Sequence, residues 1–268
     1  MLTRAILMTS LFHRPESIGL ASFSHISSVP GIIFPVERLI ALCHKHGVLV
    51  LIDGAHCPGQ IVLDIPKLGA DFYVADLHKW FFNPRGSSFI WAAKSKQGML
   101  LPNVADHGPG KTPFERAFEW QGTVDNSNFA AVTEAVKYRE SLGGEAKITE
   151  YIHTLAVKGG KILSSAWGTE VLSADNLFGG LVNVRVPCTS PCTVGGAPLM
   201  QALWEEAQTI IPIGSWGQPD NSVTTLPTKN QLEDTGGLLR PPPPSTTHQR
   251  PLGAVASCPR FLLTRVLS

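Results

Sequence analysis

At 268 residues, with 43% hydrophobic residues and a formal net charge of +1, the chain can hold one large domain or two small ones and a sizeable core. Such a charge balance creates no global basic field, which argues against nucleic acid or an anionic membrane as a partner. The five cysteines (Cys43, Cys57, Cys188, Cys192 and Cys258) are odd in number and scattered, with no zinc-type spacing, so a reducing, cytoplasmic setting without a bound metal is expected.

In chain order, residues 1–16 carry Arg4 and Arg14 and no acid before Glu16. An organelle leader would share that pattern and is the alternative to a cytoplasmic location; the apolar run is too short and broken for a secretory signal or a membrane span. Residues 19–27, GLASFSHIS, read as a strand. Pro35 then opens a helix, PVERLIALCHKH, whose Val36, Leu39, Ile40 and Cys43 fall on one face. His44, Lys45 and His46 suit the negative end of its dipole, and Gly47 stops it. VLVLID, residues 48–53, is a continuous apolar run of strand length, as expected of a parallel strand buried on both faces. Together these make a βαβ unit. ADFYVADLHKW supplies a further buried strand ending near Asp76, and residues 87–93, SSFIWAA, another.

Residues 126–144 read as one helix, capped by Asn126 or Ser127 and stopped by Gly143 and Gly144. A long helix follows over 145–167, then a strand in GGLVNVRVP and a helix in APLMQALWEEAQTIIP. Residues 1–147 therefore form an α/β domain with a mostly parallel sheet flanked by helices, and 148–213 begin a smaller α+β domain. Residues 214–268 hold eight prolines, including Pro241 to Pro244, and little periodicity. That composition buries too little apolar surface to offset its ordering entropy, so a disordered tail is expected.

The functional signal lies where two strands end. Ligands of parallel, helix-flanked sheets sit at the carboxyl ends of the strands, and Asp53 and Lys79 follow two successive ones. Each has an ordinary explanation, Asp53 as a turn residue and Lys79 as a solvated cation. Converging with His56 and His78, they suit pyridoxal 5′-phosphate, which needs a lysine for its Schiff base and an acid to keep its ring nitrogen protonated. A metal-dependent hydrolase using His56, His78 and Asp53 lacks any HExxH-like spacing.

LIDGAH followed by GADFYVADLHKWFFNPRGSSFIW resembles the class V aminotransferases of fold type I, and within them the isopenicillin-N-epimerase-like and cysteine-desulfhydrase-like branch. The resemblance covers about residues 17–213 and implies a pyridoxal-phosphate enzyme acting on an amino acid as lyase or desulfhydrase, epimerase or transaminase. By that resemblance Lys79 carries the cofactor and shuttles a proton, Asp53 pairs with the ring nitrogen, and His56 reaches the ring's phenolic oxygen. His78 matches a phosphate-contacting histidine. Asp76 stands where desulfurases usually have a phosphate-binding serine, so it is expected to anchor the loop or bind through water. Ser28, in SHISS, lies in a motif near the cofactor. Thr123, in EWQGTVDNS, matches a threonine that reaches the partner's phosphate, which implies a homodimer with shared sites. Cys57 is expected to be structural, and Cys188 and Cys192 lack the surroundings of a persulfide-forming cysteine.

The family's N-terminal phosphate loop is not recognisable before Ser17. Its carboxylate-clamping arginine is not recognisable either, since Arg185 and Arg240 lie in other contexts. The domains are therefore read as incomplete, and the alternative function is a truncated, catalytically inactive paralogue acting only as a dimerising partner.

Overall fold

The computed structural model describes residues 18–102, 112–119, 122–187, 196–211 and 213. The leader-like segment, Cys188, Cys192, Cys258, Arg240 and the proline-rich tail lie outside the described residues.

Four strands, β1 (Leu20–Ser24), β2 (Leu49–Asp53), β3 (Phe72–Asp76) and β4 (Ser88–Ala92), form one sheet in that order. The first three are parallel, with Ser24 opposite Asp53 and Asp53 opposite Val74. β4 returns antiparallel along β3, placing Ser88 opposite Asp76. β1 is shorter than its sequence suggests, because the chain turns after Ser24. The His25 N–H still donates to the Asp53 carbonyl at 2.8 Å, and Ile26 makes a lone antiparallel bridge to Ile33.

Alternation along each strand fixes the two faces of the sheet. One face carries Ala21, Val50, Ile52, Tyr73 and Ala75, and packs against Val36, Ile40 and Cys43 of helix α1 (Val36–Lys45). All four apolar-face residues of α1 are buried, and the helix begins one position after Pro35, which caps it instead of opening it. Each such side chain contributes about 1.5–3 kcal/mol on burial. Val50 and Ile52 are fully buried, whereas Leu49 and Leu51 on the opposite face are only half-buried. β2 is the parallel strand expected, but its burial is complete only on the face that α1 covers. Buried Asp71 fastens α1 to the sheet, its Oδ2 accepting from Val50 N–H and His44 Nε2, each at 2.8 Å.

Helix α2 (Ile65–Leu68) precedes β3, and α3 (Pro113–Glu119) follows β4. The segment read as one helix is two, α4 (Ser127–Ala130) and α5 (Val132–Ser141), meeting at Ala131. Then come α6 (Gly144–Trp167) and α7 (Gly196–Ala207). The described residues fall into two compact units, one within Met1–His153 and Leu177–Gly180, the other within Thr154–Asn176 and Leu181–Ser268. GGLVNVRVP is not a strand. Val184 makes a single bridge to Val171, and alternation without a neighbouring strand to pair with does not extend into a ladder. Among the described residues no helix is long and apolar enough to cross a membrane.

Candidate active site

Asp53 and Asp76 end β2 and β3 on the same sheet face, the one opposite α1, because the register sets Asp53 against Val74, two residues before Asp76. The Asp53 backbone is held from both sides: its carbonyl accepts from His25 N–H, and the next amide, Gly54 N–H, donates to Val74 at 2.7 Å. Its carboxylate is exposed at the tip. Oδ1 accepts from Ala55 N–H at 3.0 Å, and Oδ2 makes no hydrogen bond among the described residues. Gly54 has to be glycine here, because a Cβ would lie 2.1 Å from the Tyr73 hydroxyl.

The segment after β3 is a closed loop. Leu77 N–H donates to Ser87 O at 3.0 Å and Asn83 N–H to Leu77 O at 3.1 Å. His78 Nδ1 donates to the Ser87 carbonyl at 2.8 Å; a carbonyl only accepts, so Nδ1 carries the proton and Nε2 is bare in the neutral ring. Lys79 Nζ lies 2.9 Å from Asp76 Oδ2, and Ser88 Oγ donates to Asp76 Oδ1 at 2.7 Å. Burial alone would raise the Asp76 carboxyl. The hydrogen bonds from Lys79 and Ser88, with the Lys79 and His78 charges, outweigh it and hold Asp76 below the usual carboxylate range. Asp76 is thus committed to the lysine amine.

His56 lies on the loop that leaves β2. Burial first, then the Lys79 charge, lowers its pKa, against the opposing pull of Asp53 and Asp76. The imidazole is therefore neutral, within electrostatic reach of the lysine and both carboxylates. Its backbone carbonyl accepts from the side chain of Gln60 at 2.7 Å, and Gln60 in turn accepts from Gly180 N–H at 2.8 Å. Trp80 Nε1 donates to His56 Nδ1 at 3.3 Å. Below the site, Cys57 and His25 are both bonded to Tyr73. Burial pushes the Cys57 thiol up to about 12, in keeping with a structural cysteine.

Lys79 and His78 thus both approach Asp76, and Lys79, Asp53 and Asp76 all act electrostatically on His56. Ser28 and Thr123 are exposed, Ser28 on the turn after β1 and Thr123 after Gly122, and among the described residues neither makes a side-chain hydrogen bond or ion pair with the others. Motif reading missed the supports. Arg139, 2% exposed at its side chain, pairs with Glu145 and donates to the Trp80 carbonyl at 2.9 Å. Its guanidinium lies over Phe81 and Phe82, 4.8 and 4.7 Å from the ring centroids. Phe82 has a φ of +70°, rare for so bulky a residue. The only sequence signal for this arginine is a cation on a helix face where core residues would be expected. Among the described residues no His, Cys, Asp and Glu cluster could hold a metal ion.

A mostly parallel sheet with a carboxylate and a lysine converging at its carboxyl end defines the class. Residues 9–194 match the family described as Aminotransferase class-V, and the chain belongs to that family. It is 34% identical over 176 residues to the L-cysteine desulfhydrase of Arabidopsis thaliana, covering 64% of this chain and 38% of that one. It is 31% identical over 201 residues to the isopenicillin N epimerase of Streptomyces clavuligerus, covering 68% and 49%. Both lie in the branch expected from the motifs, and the chain spans less than half of either. Among solved structures, a C-DES variant with glycine covalently linked to its PLP cofactor superposes with a TM-score of 0.62 at 23% identity, over 81% of this chain and 57% of that one. The fold is that of fold type I pyridoxal-phosphate enzymes.

Proposed function

We propose that this chain binds pyridoxal 5′-phosphate at the carboxyl ends of β2 and β3 and transforms an amino acid as a lyase of the cysteine-desulfhydrase type, with Lys79 as the attachment point. The observation that carries this reading is the shared face: Asp53 and Asp76 end neighbouring strands on one side of the sheet, Lys79 is bonded to Asp76, and the charges of all three act on His56. The donor set fits the cofactor's ring and aldehyde. Asp53 Oδ2 is open to a protonated ring nitrogen, the Lys79 amine can condense with an aldehyde, and neutral His56 has an N–H for the phenolic oxygen. The fit is weaker at the phosphate, since His78 spends its Nδ1 proton on the Ser87 carbonyl and Ser28 and Thr123 are exposed.

When bound, pyridoxal phosphate supplies an electron sink that stabilises negative charge at a substrate's α-carbon. The chain's own residues do the rest. Asp53 would hold a proton on the ring nitrogen. Asp76 holds the lysine amine, and Lys79 would take and return the α-proton. Lyase chemistry with sulfur as leaving group is favoured by the desulfhydrase relative. Of the described cysteines, Cys43 and Cys57 are buried and neither can receive sulfur. Two copies are proposed to form the working unit, each lending the exposed Thr123 to the other's phosphate.

Purified chain mixed with pyridoxal phosphate should develop the visible absorption of a lysine-bound cofactor. Borohydride reduction should then leave a cofactor-sized mass on the peptide containing Lys79. Lys79→Ala should abolish both signals while leaving the circular dichroism unchanged. A folded wild-type chain that gives neither signal refutes the proposal.

A further inference from the structure

We propose that Trp80 is a positioning residue that fixes His56 in a single neutral tautomer, with Nδ1 bare and Nε2 protonated. The indole N–H can only donate. At 3.3 Å from His56 Nδ1 it needs a lone pair there, and a proton on Nδ1 would set two N–H groups against each other. The neutral ring must then carry its proton on Nε2. Burial and the Lys79 charge, which disfavour the doubly protonated ring, leave this as the one form compatible with the contact.

Both partners are held by buried side chains. Gln60, 1% exposed, holds the His56 carbonyl. Arg139 holds the Trp80 carbonyl at 2.9 Å. Gly59 leaves room for that carbonyl, since a Cβ there would lie 2.3 Å from it. A tryptophan serving only as packing would not need its main chain held in this way, nor its N–H aimed at a ring nitrogen. On the function proposed above, on which the role toward the ligand rests, the consequence is specific. His56 offers the ligand a donor and never an acceptor, so an oxygen bearing negative charge is favoured beside it.

The test begins with the full chain, without cofactor, carrying nitrogen-15 in its histidines. The nitrogen resonances of His56 are assigned by their loss in His56→Gln and read at neutral pH. Expected are one bare nitrogen at Nδ1 and one protonated nitrogen at Nε2, without averaging. In Trp80→Phe, which keeps a ring but no donor, both should move toward the averaged position of an imidazole exchanging between tautomers. A wild-type ring protonated at Nδ1, or a folded Trp80→Phe chain with unchanged resonances, overturns the assignment. The wild-type spectrum alone can do so should the variant not fold. Pyridoxal phosphate is then titrated into the same samples. A wild-type chain with the expected tautomer but no cofactor binding sinks the proposed function and leaves the role of Trp80 standing, whereas the other tautomer in a chain that binds cofactor sinks only the role of Trp80.

Discussion

His25 is 7% exposed at the end of β1, with Nδ1 3.1 Å from the Tyr73 hydroxyl. Burial lowers its pKa from 6.5 to about 4. The unfolded chain therefore binds a proton at this residue before the native chain does, and native stability falls as pH drops from 6.5 toward 4. Over that window the loss from this one group is on the order of 3 kcal/mol. His56, also lowered by burial, adds in the same direction. Asp76 acts in the same direction but lower on the scale: its carboxyl is depressed below 3.8, so its contribution is lost only in stronger acid. Urea midpoints measured at pH 7 and at the acid end of that window should differ markedly for the wild type and much less for His25→Gln, which keeps a partner for Tyr73 but cannot titrate. Equal losses in the two proteins would show that His25 is not the sensor. At this scale the positions of the candidate residues are legible in the sequence, because Asp53 ends β2 and His56 and Lys79 follow β2 and β3 within a few residues. Their supports are not. Arg139 meets Trp80 across 59 residues and Gln60 meets Gly180 across 120, and no local pattern encodes a partner so distant.

Arg139 on α5 and Glu145 in the first turn of α6 form the joint between two helices and the lysine loop. The guanidinium is almost wholly buried, while Glu145 is 43% exposed at its side chain, so the two halves of the pair should not respond alike. Removing the carboxylate charge with Glu145→Gln strands a buried cation, a change that costs about 3–5 kcal/mol. Arg139→Met leaves a half-exposed carboxylate, which water can solvate, but also removes three charged hydrogen bonds, two to Glu145 and one to the Trp80 carbonyl, at about 1.5–3 kcal/mol each. Glu145→Gln keeps an acceptor for the guanidinium and should therefore lower the urea midpoint less than Arg139→Met does; the reverse order would mean that the uncompensated charge outweighs the hydrogen bonds Arg139 makes. Elements with strong local signals were read well. α1 buries the four residues its spacing picks out, and β2 follows from an unbroken apolar run. Direction and pairing were less accessible: nothing in SSFIWAA marks β4 as antiparallel, and the alternation in GGLVNVRVP looks like a strand only until a pairing partner is required. The break at Ala131 is equally silent in the sequence, since Ala is the best of helix formers.

Across the whole molecule, the class V family assignment rests on residues 9–194. The proposal that two copies share sites rests on Thr123, which is exposed on its own chain and makes no side-chain hydrogen bond or ion pair with the other candidate residues among those described. If it serves a neighbouring copy, the defects of two variants must be able to cancel. Lys79→Ala leaves no amine for the cofactor, and Thr123→Ala removes a hydrogen bond to a charged phosphate, worth about 1.5–3 kcal/mol or roughly tenfold to a hundredfold in affinity. In a dimer holding one copy of each, one site has both defects and the other has neither, because its lysine comes from one chain and its threonine from the other. Co-expressed variants separated by two different tags should therefore bind one cofactor per mixed dimer with wild-type affinity, read by absorbance after dialysis against low cofactor concentrations. Were Thr123 to serve its own chain, the mixed dimer would hold one site without a lysine and one without the threonine, and its affinity would match that of Thr123→Ala alone. The stoichiometry and affinity of that mixed species separate a shared site from a private one, and mixed dimers that never form would exclude the shared site outright.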